Sequence, residues 1–170
     1  IGSSLINPAI FTQIQTTNDS NWVVTRVRNL TSSTFILGLQ EQESFSSHSH
    51  GEETVGYLAI EKGSNKSNGS HTIDVGETSN SYTHSIGSQS FGTNFSATPA
   101  LIVKMATRDG PDASNVRTTS ISDSSFSAYI DEESSRDSEQ NHTREALNNH
   151  YILSATNTSF SNTHLKLPTK

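Results

Sequence analysis

The sequence predicts an all-β protein built as two tandem antiparallel β-sandwich units. Three observations carry that prediction. Apolar residues fall in short alternating runs bounded by Asn, Ser, Gly and Asp, the pattern of half-buried strands. No stretch holds a convincing helical period. The chain also states its landmarks twice: Pro8-Ala9-Ile10-Phe11 returns as Pro99-Ala100-Leu101-Ile102, Arg26 as Arg117, Phe35 as Phe126, Leu39 as Ile130 and Glu41 as Glu132, each displaced by 91 residues. A displacement that stays constant across these landmarks leaves no room for an insertion between them, so a unit of that size is what folds.

Taken in order, the strands of the first unit are expected at 9–16, 22–29, 35–42 and 54–61. A Gly/Ser/Asn-rich linker is expected at 63–70, followed by strands at 71–76 and 82–91. The second unit then repeats the first with strands at 100–107, 115–121, 126–131 and 146–155. The best helical candidate, 139–149, aligns with the start of a strand in the other copy and is read as strand. Even spacing of short strands with turn residues between them suggests sandwiches. Along Trp22-Val23-Val24-Thr25-Arg26-Val27-Arg28, both faces carry apolar residues. One face is therefore expected to pack the core and the other to meet a partner or ligand.

Composition narrows the function classes. The formal net charge is −6, with Lys and Arg scattered rather than clustered, which argues against a phosphate-tracking surface and so against nucleic acid. The longest apolar run, Phe35 to Leu39, is far shorter than the about 20 residues a spanning helix takes, so no membrane insertion is expected. The absence of Cys removes disulfide scaffolds and thiolate metal sites. An abundance of Ser, Thr and Asn fits either disorder or the outer faces of an extracellular β module, and the alternating apolar runs favour the module. The chain opens at Ile1 without an initiator Met, which reads as a processed or excised piece.

The second unit runs from Thr72-Ile73-Asp74-Val75-Gly76-Glu77 through Ser85-Ile86 and Phe91 to the Pro99-Ala100-Leu101 strand, then Arg117, Phe126, and a closing strand near Tyr151-Ile152-Leu153. In this order the motifs resemble the H-type lectins, the family of the snail agglutinin, whose fold also caps the discoidins. In the first unit, Glu53-Thr54-Val55-Gly56-Tyr57-Leu58-Ala59-Ile60-Glu61 resembles the family's last strand, and also modules of large bacterial surface proteins. The resemblance implies six-stranded sandwiches, the first lacking its opening strands, with units at 1–62 and 63–157 and a tail at 158–170. It implies a non-catalytic carbohydrate-binding module of a secreted or cell-surface protein, with glycans as partners. The family's sugar-contacting Arg lies nine residues before a turn Phe, and both Arg26 before Phe35 and Arg117 before Phe126 comply. Its early Gly matches Gly76. Its next acidic residue falls on Thr78, so Glu77 would serve instead. The aromatic and His that the family places after the turn Phe fall on Gln42 and Glu43, or on Glu133 and Ser134, which puts galactose-type specificity in doubt.

The residues also allow other roles. Arginine suits sugar hydroxyls because its planar fork donates several hydrogen bonds, but Arg26 and Arg117 equally suit ion pairs across the sheet to Glu41 and Glu132. Gly76 also reads as a turn glycine. Trp22, the single Trp, offers a stacking platform for a sugar, although one Trp opening a strand is more often core. His48, His50 and Glu53 form a candidate divalent-metal group, of which the second copy keeps His142 and Glu145; the alternative is a solvated loop. With no nucleophile elbow, phosphate loop or dinucleotide motif, no enzyme is expected. The rival to a lectin is a structural repeat or subunit of an extracellular filament or adhesin. In that reading, self-association through strand exchange uses the segment after Asn157 to complete an open first unit.

Overall fold

A computed structural model describes residues 5–45, 49–67 and 71–154. Its elements are eleven strands: β1 (Pro8–Ile14), β2 (Val23–Arg28), β3 (Ile36–Glu41), β4 (Val55–Glu61), β5 (Gly63–Ser67), β6 (His71–Glu77), β7 (Gly87–Ser90), β8 (Ala100–Met105), β9 (Ser114–Ile121), β10 (Ser125–Glu132) and β11 (Leu147–Ser154). All pairing is antiparallel. The fold is therefore the all-β one expected, and no helix occurs among the described residues. The expected tail at 158–170, residues 1–4 and His48 lie outside the described residues.

The second unit is a sandwich of sheet β5-β6-β11-β8 over sheet β7-β10-β9. Its core forms where the inward positions of the two sheets meet: Phe126, Ala128 and Ile130 from β10, Leu147 from β11, and Tyr82, Phe91 and Phe95 from the connection around β7. Phe126 is 1% exposed and stacks on Phe91 at 6.1 Å, which in turn meets Phe95 edge-on at 5.6 Å. A Phe side chain withdrawn from water contributes about 1.5–3 kcal/mol, so this aromatic row is a principal source of the unit's cohesion.

The first unit consists of two hairpin-like pairs, β1-β4 and β2-β3, which are the counterparts of β8-β11 and β9-β10. The repeat extends to register. Arg26 faces Gly38 as Arg117 faces Tyr129, and Val23 faces Glu41 as Ser114 faces Glu132. Ile14 faces Val55 as Met105 faces Leu147. The copies part at one bulge in β9, between the partners of Ser127 and Ala128. Among the described residues, the first unit has no counterparts of its own to β6 and β7.

Instead the first unit leans on the second. Ala9 and Phe11 of β1 pack with Val75 of β6, flanked by Ile60 and Ile73. The two faces of β2 divide as its mixed pattern requires. Thr25 turns to its own unit and bonds Thr12 at 2.7 Å, whereas Val24 and Arg26 are buried on the other face. That other face meets the second unit: Arg26 reaches Ser114 and Glu145, and Gln40, opposite Val24, donates to the Pro111 carbonyl at 2.5 Å.

Two elements correct the sequence reading. The expected linker begins as strand β5, at the edge of its sheet, joined to β6 through a bulge between Gly63 and Lys66. Its Gly-Ser-Asn-Lys-Ser sequence has no apolar alternation because an edge strand with little to bury needs none. The expected strand 82–91 is strand only at Gly87–Ser90, with Tyr82 making an isolated bridge to Glu145. Ile86, just before β7, is 65% exposed.

Candidate functional site

The most highly organised polar feature is a Glu–His–Glu relay that occurs once in each unit. In the second, Glu132 ends β10, while His142 and Glu145 precede β11. His142 Nδ1 stands 2.8 Å from Glu132 Oε1 and Nε2 stands 3.2 Å from Glu145 Oε1. Glu145 collects further donors: Thr107 Oγ1 at 2.5 Å, the N–H groups of Asp109 and Gly110 at 3.1 and 3.2 Å, and Arg26 Nη2 from the first unit at 2.6 Å. Both Arg26 and Glu145 are buried (1% and 0% exposed). Burial alone would raise the Glu145 carboxyl, but the His142 and Thr107 hydrogen bonds, the Arg26 charge and the Gly110 N–H outweigh it and hold it at about 2. Burial likewise works to lower His142, yet its two carboxylate partners carry it above the usual imidazole value. Gly110 is obligatory here, because a Cβ would lie 2.4 Å from the His142 ring.

The first unit rebuilds the relay from Glu41, His50 and Glu53. Thr16 donates to Glu53 as Thr107 does to Glu145, and Thr54 N–H bonds Thr16 Oγ1 at 2.8 Å as Ala146 N–H bonds Thr107 at 2.9 Å. The N–H groups of Asn18 and Asp19 reach Glu53 Oε1 at 2.8 and 3.1 Å. The relay itself is slacker, with His50 Nδ1 3.4 Å from Glu41 and Nε2 3.3 Å from Glu53. No arginine enters it among the described residues, and Asp19 stands where the second unit has Gly110.

The expected sugar-binding residues are not brought to one place. Arg26 is buried and committed to Glu145, Ser114 (2.9 Å) and Met105. The ion pairs expected to Glu41 and Glu132 do not form: Arg26 pairs with Glu145 and Arg117 with Asp131 at 2.8 Å. Arg117 is 63% exposed and lines a cleft of about 450 Å³ together with Trp22, Gln42, Asn115, Asp131 and Gln140. Trp22, expected in the core, is 41% exposed in that cleft, at the seam between the units. Gly76 and Glu77 line a separate depression with Phe91 and Asn149. Gly76 is not in a turn; it sits within β6, where a Cβ would stand 2.6 Å from Asn149 Oδ1. Glu77 pairs with Lys62 at 2.6 Å.

Around the seam, carboxylates gather in a way that single-residue reasoning missed. Glu43, Asp112 and Glu132 lie with one oxygen each within 4.8 Å of one another. Partial burial, with Asp112, Asp137 and Glu133 as neighbours, raises the Glu43 carboxyl to about 6. A carboxyl held above its unfolded value costs stability once ionised. Glu43→Gln is therefore expected to stabilise the protein at pH 7.5 by about 1 kcal/mol, after allowance for solvent screening, and to leave it unchanged at pH 4. Urea unfolding at the two pH values measures both.

Compared with known proteins, the chain is 30% identical over 132 aligned residues, which cover 76% of it, to part of Halomucin from Haloquadratum walsbyi. The chain spans about 1% of that relative's length. No protein-family model and no solved structure matches the chain.

Proposed function

We propose that the protein is a carbohydrate-binding module of a secreted or cell-surface protein, acting through the seam cleft rather than through both repeat arginines. The observation that supports this is the pairing of an exposed Trp22 with an exposed Arg117 in one cleft edged by Asp131, Asn115 and Gln140. An indole supplies a flat apolar face for a pyranose ring, and a guanidinium with acidic and amide neighbours supplies donors and acceptors for its hydroxyls. The ion pair with Asp131 uses Arg117 Nε, and no other hydrogen bond engages that guanidinium among the described residues. The likeness to part of a protein named as a mucin supports the extracellular setting.

Single sites of this kind bind weakly and gain from multiplicity. Retention on glycan-coated resins is the test. Arg117→Ala and Trp22→Ala are each expected to weaken retention at least tenfold, while Glu77→Gln, in a different depression, leaves it unchanged. Absence of retention across a broad glycan array, or retention indifferent to both cleft variants, refutes the reading.

A second reading is favoured by the edges of the β1-β4 pair, which joins no third strand in a sheet among the described residues. In this reading the chain is a structural repeat of an extracellular filament or adhesin, joined by strand exchange. Light scattering with and without residues 157–170 decides it: a large assembly that collapses on truncation supports exchange, and an unchanged mass removes it.

A further inference from the structure

We propose that the slack relay of the first unit is a divalent-cation site of the Zn²⁺ type, held by Asp19, Glu41 and His50, and that it fixes the loop before β4 to the rest of that unit. The second unit provides an internal comparison. There the two relay carboxylates are met by a histidine in close contact with both and by the Arg26 guanidinium. In the first unit three carboxylates, Asp19, Glu41 and Glu53, surround one histidine, and no Lys or Arg pairs with any of them among the described residues. Buried charge of one sign calls for a compensating cation.

The positions of unsatisfied atoms show where that cation would sit. Glu41 Oε2 is buried without a hydrogen-bond partner, and so is His50 Nδ1, which lies 3.4 Å from Glu41 Oε1 without bonding it. The two side chains are 1% and 3% exposed. One ligand atom each from Asp19, Glu41 and His50 falls within 4.8 Å of the others, close enough for one ion to draw them together. The surroundings orient these donors. Asp19 accepts the N–H groups of Asn21 and Gly51 at 3.0 Å each, Asn21 Nδ2 reaches Glu41 Oε1 at 3.2 Å, and His50 Nε2 faces Glu53 at 3.3 Å. A ligating imidazole whose other nitrogen is held by a carboxylate is the usual arrangement around zinc. One imidazole with two carboxylates suits a first-row divalent ion better than Ca²⁺ or Mg²⁺, which take oxygen alone. The second unit cannot form the same site, because Gly110 replaces Asp19 and His142 is already bonded on both nitrogens.

The test is calorimetric titration of the untagged, chelator-treated full chain with Zn²⁺, alongside thermal melting. One equivalent is expected to bind and to raise the melting temperature by about 5 °C or more at a hundredfold excess over Kd. His50→Ala and Asp19→Asn are each expected to weaken binding at least tenfold, while Glu43→Gln, in the all-carboxylate cluster at the seam, keeps it. Asp19 is partly exposed, so its isosteric amide variant is the one that keeps the fold if His50→Ala does not. Absence of stoichiometric Zn²⁺ binding, or binding that Asp19→Asn leaves as tight as wild type, overturns the proposal.

Discussion

Replacing Arg26 by alanine is expected to cost about 3–5 kcal/mol of stability. The guanidinium is 1% exposed and lies 2.6 Å from a Glu145 carboxylate that is wholly buried, so its loss leaves a negative charge with no water to solvate it. The pair also joins the two units: Arg26 sits on β2, and Glu145, Ser114 and Met105 all belong to the second unit. Removing Arg26 therefore loosens the seam as well as exposing the charge. Arg26→Met combined with Glu145→Gln is expected to recover most of the loss, since an apolar side chain beside a neutral amide needs no counter-charge. Urea unfolding of wild type, both single variants and the double variant measures the coupling. A loss below about 1 kcal/mol for Arg26→Ala would mean that the pair contributes no more than a solvated surface bridge.

That pair shows both the reach and the limit of the sequence. The 91-residue displacement carried the strand positions and, with them, a register that the two units share down to Val23 facing Glu41 and Ser114 facing Glu132. Such pairing is legible because alternation fixes which residues face inward, and a one-residue slip would turn them all outward. Arg26 and Arg117 look equivalent in the repeat, yet one is buried and the other 63% exposed. The difference arises because the second unit covers the β2 face while, among the described residues, no comparable layer covers Arg117 on β9, and a repeat alone does not say which copy is covered. Trp22 escaped the alternation argument for the same reason: it stands at the seam, where one strand ends and the cleft begins. The relay was half visible. His50 and Glu53 recur as His142 and Glu145, but Asp19 comes from a loop far along the chain and has no counterpart to mark it. Strand β5 was hidden because its polar edge sequence carries no period at all.

The same relays predict an acidic optimum of stability. As pH falls from 8, protonation of His142 adds stability, because its folded value lies above the unfolded one and the proton serves two buried carboxylates. Burial, which outweighs the His142 contacts, holds Glu132 above its ordinary value, and partial burial with neighbouring carboxylates does the same to Glu43, so both also gain as the pH drops toward 4.5. Glu145 acts in the opposite sense. With a folded value near 2 against 4.5 unfolded, its contribution of about 3 kcal/mol is complete above pH 4.5 and is lost as pH falls toward 2. Thr16 and backbone N–H groups hold Glu53 below its usual range, which adds to the same loss. The melting temperature is therefore expected to rise from pH 8 to a maximum near pH 5 and to fall steeply below pH 4. In Glu145→Gln the melting temperature is lower above about pH 4.5 and approaches that of wild type toward pH 2, so the steep acid limb shrinks because the amide does not titrate. Melting curves at half-unit steps from pH 2 to 8 test both statements. A maximum above pH 7, or an acid limb unchanged in Glu145→Gln, would show that the Arg26–Glu145–His142 cluster does not govern the pH response.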